Sequence, residues 1–284
     1  MMICLKKSDL RNAVACALLM ATQAAFANGL SWSKEGPGSP DSGSGTDFSR
    51  SQIDLTLPLE RRENRYESVR TDAHLDISEF RWSGTTALQS EYYWLSMPIE
   101  YRQKRGRSAE FTIRAEPGFM TDLNVLDGDS LAMNADLIGR VYQRSGTFWQ
   151  FGLTVNREFG DYSPRPVLGM ATKLTPDTEM LLGFPRTRIV SRWSDDLASF
   201  LYLRPAGGVW QEEITGLTGT YRASYTNWKL GVGGEFHWRG PLWISGELGQ
   251  MRHRRVRATD DTGTEVVASP GDDAFWQVGI DLRY

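Results

Sequence analysis

The last segment of the chain, Asp273 to Tyr284, sets Ala274, Trp276, Val278, Ile280, Leu282 and Tyr284 at every second position, with Gln277, Gly279, Asp281 and Arg283 between them. Period two is strand periodicity with one apolar face. The design recurs upstream. Trp149, Phe151, Leu153 and Val155 alternate with Gln150, Gly152, Thr154 and Asn156, and Tyr93, Leu95, Met97, Ile99 and Tyr101 form a second row. Trp228, Leu230, Val232, Phe236 and Trp238 form a third, aromatic at both ends and aliphatic between. A soluble sandwich has no reason to gather aromatic residues at strand ends, whereas the two faces of a bilayer do select them there. The rows therefore point outward into hydrocarbon, with Tyr93 and Tyr101 at opposite interfaces.

Hydrophobic residues make up 40% of the 284, which leaves no room for several apolar helices of bilayer length. A membrane barrel passes that test, because only alternate residues meet lipid. At the N-terminus Lys6, Lys7 and Arg11 precede an apolar run from Ala13 to Met20, and Ala25-Phe26-Ala27 is a small-x-small cleavage site. Residues 1–27 read as a signal peptide. Cleavage near Ala27 removes both cysteines, Cys4 and Cys16, and excludes a disulfide framework or a cysteine metal site. Lys6, Lys7, Arg11 and Asp9 carry a net +2, so their loss takes the formal charge from −3 to −5. An acidic exported chain without a basic tract is not a nucleic-acid binder.

Residues 28–50, rich in Gly, Ser, Pro and Asp, read as a disordered linker. Ile53, Leu55, Leu57 and Leu59 alternate and open the region 51–284, in which strand-like runs follow one another with no helical period. The runs are 73–82, 91–101, 108–120, 130–143, 147–158, 166–174, 178–193, 197–204, 207–214, 221–238, 241–256 and 273–284. At about 9–11 residues per membrane strand they make roughly twelve, with ten to fourteen allowed. The fold class expected is all-β: a single up-and-down antiparallel transmembrane β-barrel. Counting back from Tyr284, short turns (KRG, RSG, TPD, Arg239-Gly240) fall at the periplasmic end and long loops outside. That assignment treats 178–193 as one strand bent at Pro185 and Pro205-Ala206-Gly207 as a turn.

The polar face carries charges of both signs, among them Glu110, Arg114, Glu116, Asp136, Arg140, Lys229, Glu235 and Glu247. Enclosed together they satisfy one another as ion pairs. Arg186, Arg188 and Arg192 are the one local excess of a single sign, a candidate basic ladder favouring anionic solutes. Arg252 and Arg254 share the parity of the lipid face near the outer rim and are candidate contacts for lipopolysaccharide phosphates. His237, Ser245, Glu235 and Glu247 share one face, a set that resembles outer-membrane lipases and lipid A deacylases without any of their surrounding sequence. No catalytic residue is assigned on that basis. Asp260, Asp261, Glu265, Asp272 and Asp273 lack the ligand spacing of a calcium loop, and neither metal nor cofactor is expected.

Gln277-x-Gly279-x-x-Leu282-x-Tyr284 resembles the C-terminal assembly signal of bacterial outer-membrane β-barrels, which implies insertion by the barrel assembly machinery. Pro166-Val167-Leu168-Gly169, Thr175-Pro176-Asp177, Leu182-Gly183-Phe184-Pro185 and Gly207-Gly208-Val209-Trp210 resemble an uncharacterised bacterial family of outer-membrane β-barrels, over roughly residues 50 to 284. That resemblance implies the barrel and brings no activity. The expected protein is an outer-membrane barrel of structural type or a narrow passive channel for small, anionic solutes, in contact with outer-membrane lipids and lipopolysaccharide. The alternatives are a lipid-modifying hydrolase of the outer membrane and a soluble periplasmic β-sandwich that binds a ligand between its sheets.

Overall fold

The computed structural model describes residues 29–38, 47–83, 89–124, 128–143, 146–213 and 220–283. They form one sheet closed on itself. Its strands are β1 (Gly29–Gly38), β2 (Asp47–Glu63), β3 (Glu67–Ser83), β4 (Gln89–Ser96), β5 (Ile99–Arg105), β6 (Ala109–Thr121), β7 (Leu131–Tyr142), β8 (Phe148–Val155), β9 (Arg165–Thr175), β10 (Thr178–Phe184), β11 (Thr187–Arg192), β12 (Leu197–Glu213), β13 (Thr220–Arg239), β14 (Leu242–Asp260), β15 (Glu265–Ala268) and β16 (Asp273–Leu282). β4 and β5, separated at Met97-Pro98, occupy one place between β3 and β6, and β15 pairs only with β14. The wall therefore has 14 positions, antiparallel throughout, closed by β1 against β16 and β13 against β14. No α-helix occurs among the described residues; two single 3-10 turns, Gly128–Ser130 and Arg157–Phe159, lie in connections.

The alternating rows face as their period requires. Trp149, Phe151 and Leu153 are about half exposed, while Gln150 and Thr154 between them are buried. An apolar exterior around a polar, enclosed interior is the surface a bilayer demands, and it is the reverse of a soluble sandwich. Tyr93 is the exception: it is 2% exposed, covered at the outer end of its row.

The N-terminal stretch departs from its reading as a linker. Gly29–Gly38 is a wall strand, and residues 47–50 begin the next; 39–46 and the signal segment lie outside the described residues. Leu30 and Trp32 alternate with Ser31, Ser33 and Glu35, and pairing with β2 and β16 supplies the hydrogen bonds that composition alone does not suggest. Trp32 meets Trp276 edge to face at 4.6 Å. β1 and β2 account for the difference between twelve strands and fourteen.

Two further departures offset each other. Residues 178–193 form a hairpin, β10 and β11, closed where Thr187 Oγ1 donates to Gly183 O at 3.0 Å. Pro205-Ala206-Gly207 is no turn but the middle of β12. Proline is tolerated where a strand has no ladder partner on one side, and β12 has none from β11 above Leu203, the partner of the first residue of β11, although Pro205 itself is buried. One strand gained and one lost leave the upstream sidedness unchanged. The turns 64–66, 106–108, 176–177, 193–196 and 240–241 share one rim with Gly29 and Asp281, and the described connections 156–164, 185–186 and 261–264 share the other.

Above the short β10–β11 hairpin, β12 leans across the mouth. Gln211 pairs with Thr121 of β6, and Asp122 N donates to Gln211 O at 3.1 Å. The outer half of the lumen is then filled by Phe48, Phe80, Tyr92, Trp94, Met120, Trp210 and Tyr225. Tyr92 stacks on Trp210 at 5.1 Å, and Phe80 meets Trp210 edge-on at 5.3 Å.

An outward position near the middle of the apolar belt tests the orientation. Val232→Arg is expected to lower the stability of folding into phospholipid vesicles by about 2–4 kcal/mol, and Trp238→Arg at the rim by roughly 0–1 kcal/mol, read by urea titration.

Candidate functional site: a charged chamber in the lumen

Beneath the aromatic plug lies a cavity of about 280 Å³, lined by Arg50, His74, Arg114, Arg157, Arg186, Arg204 and Lys229 against Asp54, Asp76, Glu116, Asp136 and Glu158. A second, of about 330 Å³, shares Asp54, His74 and Arg114 with it and adds Arg70, Asp72 and Glu100. Most of these side chains arrive on the inward parity of a strand, while Arg157 and Glu158 come from the 3-10 turn after β8 and Arg186 from the β10–β11 turn, so charges from widely separated parts of the sequence are gathered in one place.

Three buried carboxylates organise the walls. Glu35 is 1% exposed; its Oε1 lies 3.0 Å from Lys229 Nζ and 3.6 Å from Arg50 Nη1, contacts that are ionic without hydrogen-bond alignment. Its Oε2 accepts from Tyr225 OH at 2.6 Å, and Arg254 Nε donates to the same phenol at 3.1 Å. Asp76 pairs with Arg157 and accepts from Ser78 at 2.8 Å and Gln52 at 2.9 Å. Arg50 ties the two groups together by donating to Ser78 at 2.9 Å. Glu116 accepts from Ser96 at 2.8 Å, Trp94 Nε1 at 3.1 Å and Arg114 at 3.0 Å, with His74 Nδ1 at 3.1 Å. Such mutual satisfaction is what a low-dielectric interior requires of buried charge.

Ser96, His74 and Asp54 have the outline of a nucleophile, base and orienting acid, with Ser96 Oγ 3.3 Å from His74 Nδ1 and His74 Nε2 2.7 Å from Asp54. The bonding opposes that role. Both ring nitrogens meet carboxylate oxygens, so both donate and neither lone pair is free to take a proton from Ser96, whose hydroxyl donates to Glu116. His237 is engaged likewise: Nδ1 lies 2.6 Å from Asp196 and Nε2 2.6 Å from Gly240 O, with the ring stacked on Trp243. Glu247 accepts from Tyr202 at 2.7 Å. His237, Ser245 and Glu247 do not come together as a catalytic set.

The basic ladder is divided. Arg188 and Arg192 face inward on β11, whereas Arg186 sits in the hairpin turn and donates to Glu158 at 2.8 Å. Arg188 lies 5.4 Å from the Phe200 ring, and Arg192 stands at the short-turn rim. Arg252 and Arg254 also part company. Thr226 pairs with Arg255 but Trp228 with Arg252, a bulge that puts His253 at φ 54 and turns Arg254 into the lumen. An extra residue inverts the facing of everything beyond it, so Arg254 is 2% exposed and only Arg252 stays outside, 2.7 Å from Asp272. In the terminal strand Gln277 lines the chamber and Leu282 continues the outward row. Gly279 lies so close to Ser245 that a Cβ there would stand 2.6 Å from its hydroxyl. Tyr284 lies outside the described residues.

Glu35, Arg50 and Asp54 are absent from the sequence reading because their strands resemble linker or a segment beneath the barrel, and Asp76, on the expected strand 73–82, is not singled out there. The available signal was the polar set Arg50, Gln52, Asp54 and Thr56, spaced by two against Ile53, Leu55 and Leu57.

No family model matches this sequence, so its resemblance to an uncharacterised barrel family has no counterpart there, and no curated protein matches it either. Among solved structures the chain is similar to a deltaS2 mutant of the TodX monoaromatic hydrocarbon channel, at 9% identity and TM-score 0.48 over 91% of this chain and 90% of that one. It is similar to the translocator domain of the autotransporter NalP from Neisseria meningitidis, at 13% identity and TM-score 0.40 over 98% and 95%. LpxR from Salmonella typhimurium is similar at 11% identity and TM-score 0.37, over 90% and 100%. The architecture rests on this chain's own strand pairing.

Glu35 is the buried carboxylate that Lys229 and Arg50 both face. Glu35→Gln is expected to destabilise the barrel by about 3–5 kcal/mol in denaturant titration, and adding Lys229→Met should return part of that.

Proposed function

We propose that this protein is an integral outer-membrane β-barrel, of structural or narrow passive-channel type, whose lumen receives small anionic solutes from the periplasmic, short-turn rim and is closed on the outer side. The observation that carries the reading is the aromatic plug, which fills the outer half of the lumen directly above a chamber lined by seven basic and five acidic side chains. Arg192 adds positive charge at the open rim, and Arg188, on the same inward face, lies further up beside the hairpin turn. The apolar exterior and the alternating terminal strand support insertion into a bilayer by the barrel assembly machinery, after export and cleavage near Ala27. The reading is non-enzymatic. It is supported by two histidines, His74 and His237, that each have both ring nitrogens engaged.

Planar-bilayer recording tests it. The wild-type barrel is expected to stay closed for most of the record, while Trp210→Ala with Tyr92→Ala should conduct steadily, with a reversal potential that favours chloride over potassium. Heat-modifiable migration on gels verifies that the variant is folded. Steady wild-type conductance would remove the closed reading, and cation preference in the variant would remove the anionic one.

A further inference from the structure

The bulge in β14 does more than invert Arg254. His253 and Arg254 together face the single residue Asn227 on β13, and a cavity of about 890 Å³ opens beside them. Asn227 lines it, is 2% exposed, and has no partner for either Nδ2 or Oδ1. Arg255 and Arg257 reach the same cavity. The Arg255 side chain makes no hydrogen bond or ion pair among the described residues, and the Arg257 side chain meets only Glu265, at 3.3 Å near the surface.

The two acids on the cavity wall are already committed. Glu158 pairs with Arg186, and Asp272 with Arg252 and the His253 backbone N–H at 3.1 Å. The Arg252 hydrogen bond is the main reason the Asp272 carboxyl sits below its usual range. The cavity thus has two guanidinium groups on its upper wall, that of Arg255 without a side-chain partner, while Asn227, between the lumen-facing Tyr225 and Lys229, turns its amide to the other face of the sheet. Its lower wall is Trp228, which begins the lipid-facing row of Leu230 and Val232 and lies 6.3 Å from Phe184. Guanidinium groups above, with an apolar slope below, suit an amphiphile whose anionic end is an oxygen-rich oxyanion.

We propose that this cavity holds the phosphorylated headgroup of an outer-leaflet lipid, with Arg255 and Arg257 on the phosphate and the acyl chains along Trp228, Leu230 and Val232. The proposal rests on the membrane-spanning reading given above, and it moves the lipid contact from the Arg252–Arg254 pair to the far side of the bulge.

Native mass spectrometry of the full chain folded in detergent tests it, with dioleoyl phosphatidate and dioleoyl phosphatidylcholine as probes. One phosphatidate should be retained about tenfold better than the phosphatidylcholine, equivalent to about 1.4 kcal/mol. Arg255→Ser with Arg257→Ser should abolish the preference, whereas Arg222→Ser, an exposed arginine of β13 that does not line the cavity, should leave it intact. Equal retention of both lipids, or a preference that survives the double substitution, overturns the proposal. Displacement of phosphatidate by millimolar inorganic phosphate overturns the lipid as the source and leaves a soluble phosphate site. Heat-modifiable migration of each sample separates these outcomes from failure of the barrel itself.

Discussion

Hydrocarbon offers no hydrogen bonds to a strand edge, so the seam between β1 and β16 is the contact on which the rest of the structure depends. Seven residue pairs join them, from Gly29 with Asp281 to Glu35 with Phe275. Their register also decides what the seam encloses. Ser31, Ser33 and Glu35 face inward beside Gln277 and Gly279, while Leu30 and Trp32 continue the outward row of Ile280, Val278 and Trp276. A slip of one residue would put Glu35 into lipid and Trp32 into the lumen, which makes the register strongly specified.

Once the wall is closed, its inward residues have only each other. Glu35, Asp76 and Glu116 become three nodes to which cations from β2, β6, β13, β14 and the Arg157 turn attach. The aromatic residues above exclude water, and Arg50 lies within 5.9 Å of three of their ring centroids, joining plug to ion network. A cation held against aromatic faces is favourable when desolvated. The lumen is therefore graded: aromatic and dry outside, ionic in the middle, hydrated toward the short turns.

Long aliphatic rows were legible in the sequence because lipid on one side and a polar lumen on the other impose the strictest alternation; β8 and β16 face as read. β1 was not legible, since a strand with a serine-rich inward face has the composition of a linker and reveals itself only through its neighbours. Pro205 was misleading for a different reason. Its tolerance depends on β11 ending below it, a fact of tertiary structure. Arg252-His253-Arg254-Arg255 offers no alternation at all, so the bulge that sorts the two candidate lipid contacts into one exposed and one buried residue leaves no mark in residue type. The charged chamber was foreseen as a polar face that includes Glu116, but Glu35, one of its three nodes, lies on the strand that composition concealed.

β10 and β11 have 7 and 6 residues, whereas β13 has 20. At about 3.3 Å per residue the short pair reaches roughly 20–23 Å, less than the 9–11 tilted residues that a bilayer core asks of a strand. Phe184 at the hairpin tip, Phe159 and Trp228 form an aromatic row at that reduced height. Hydrophobic mismatch is thus confined to one sector, where the outer leaflet must dip to meet the wall. The barrel wall consequently has a front and a back: a low side built from the short pair, and a full-height side opposite, where β3 runs for 17 residues.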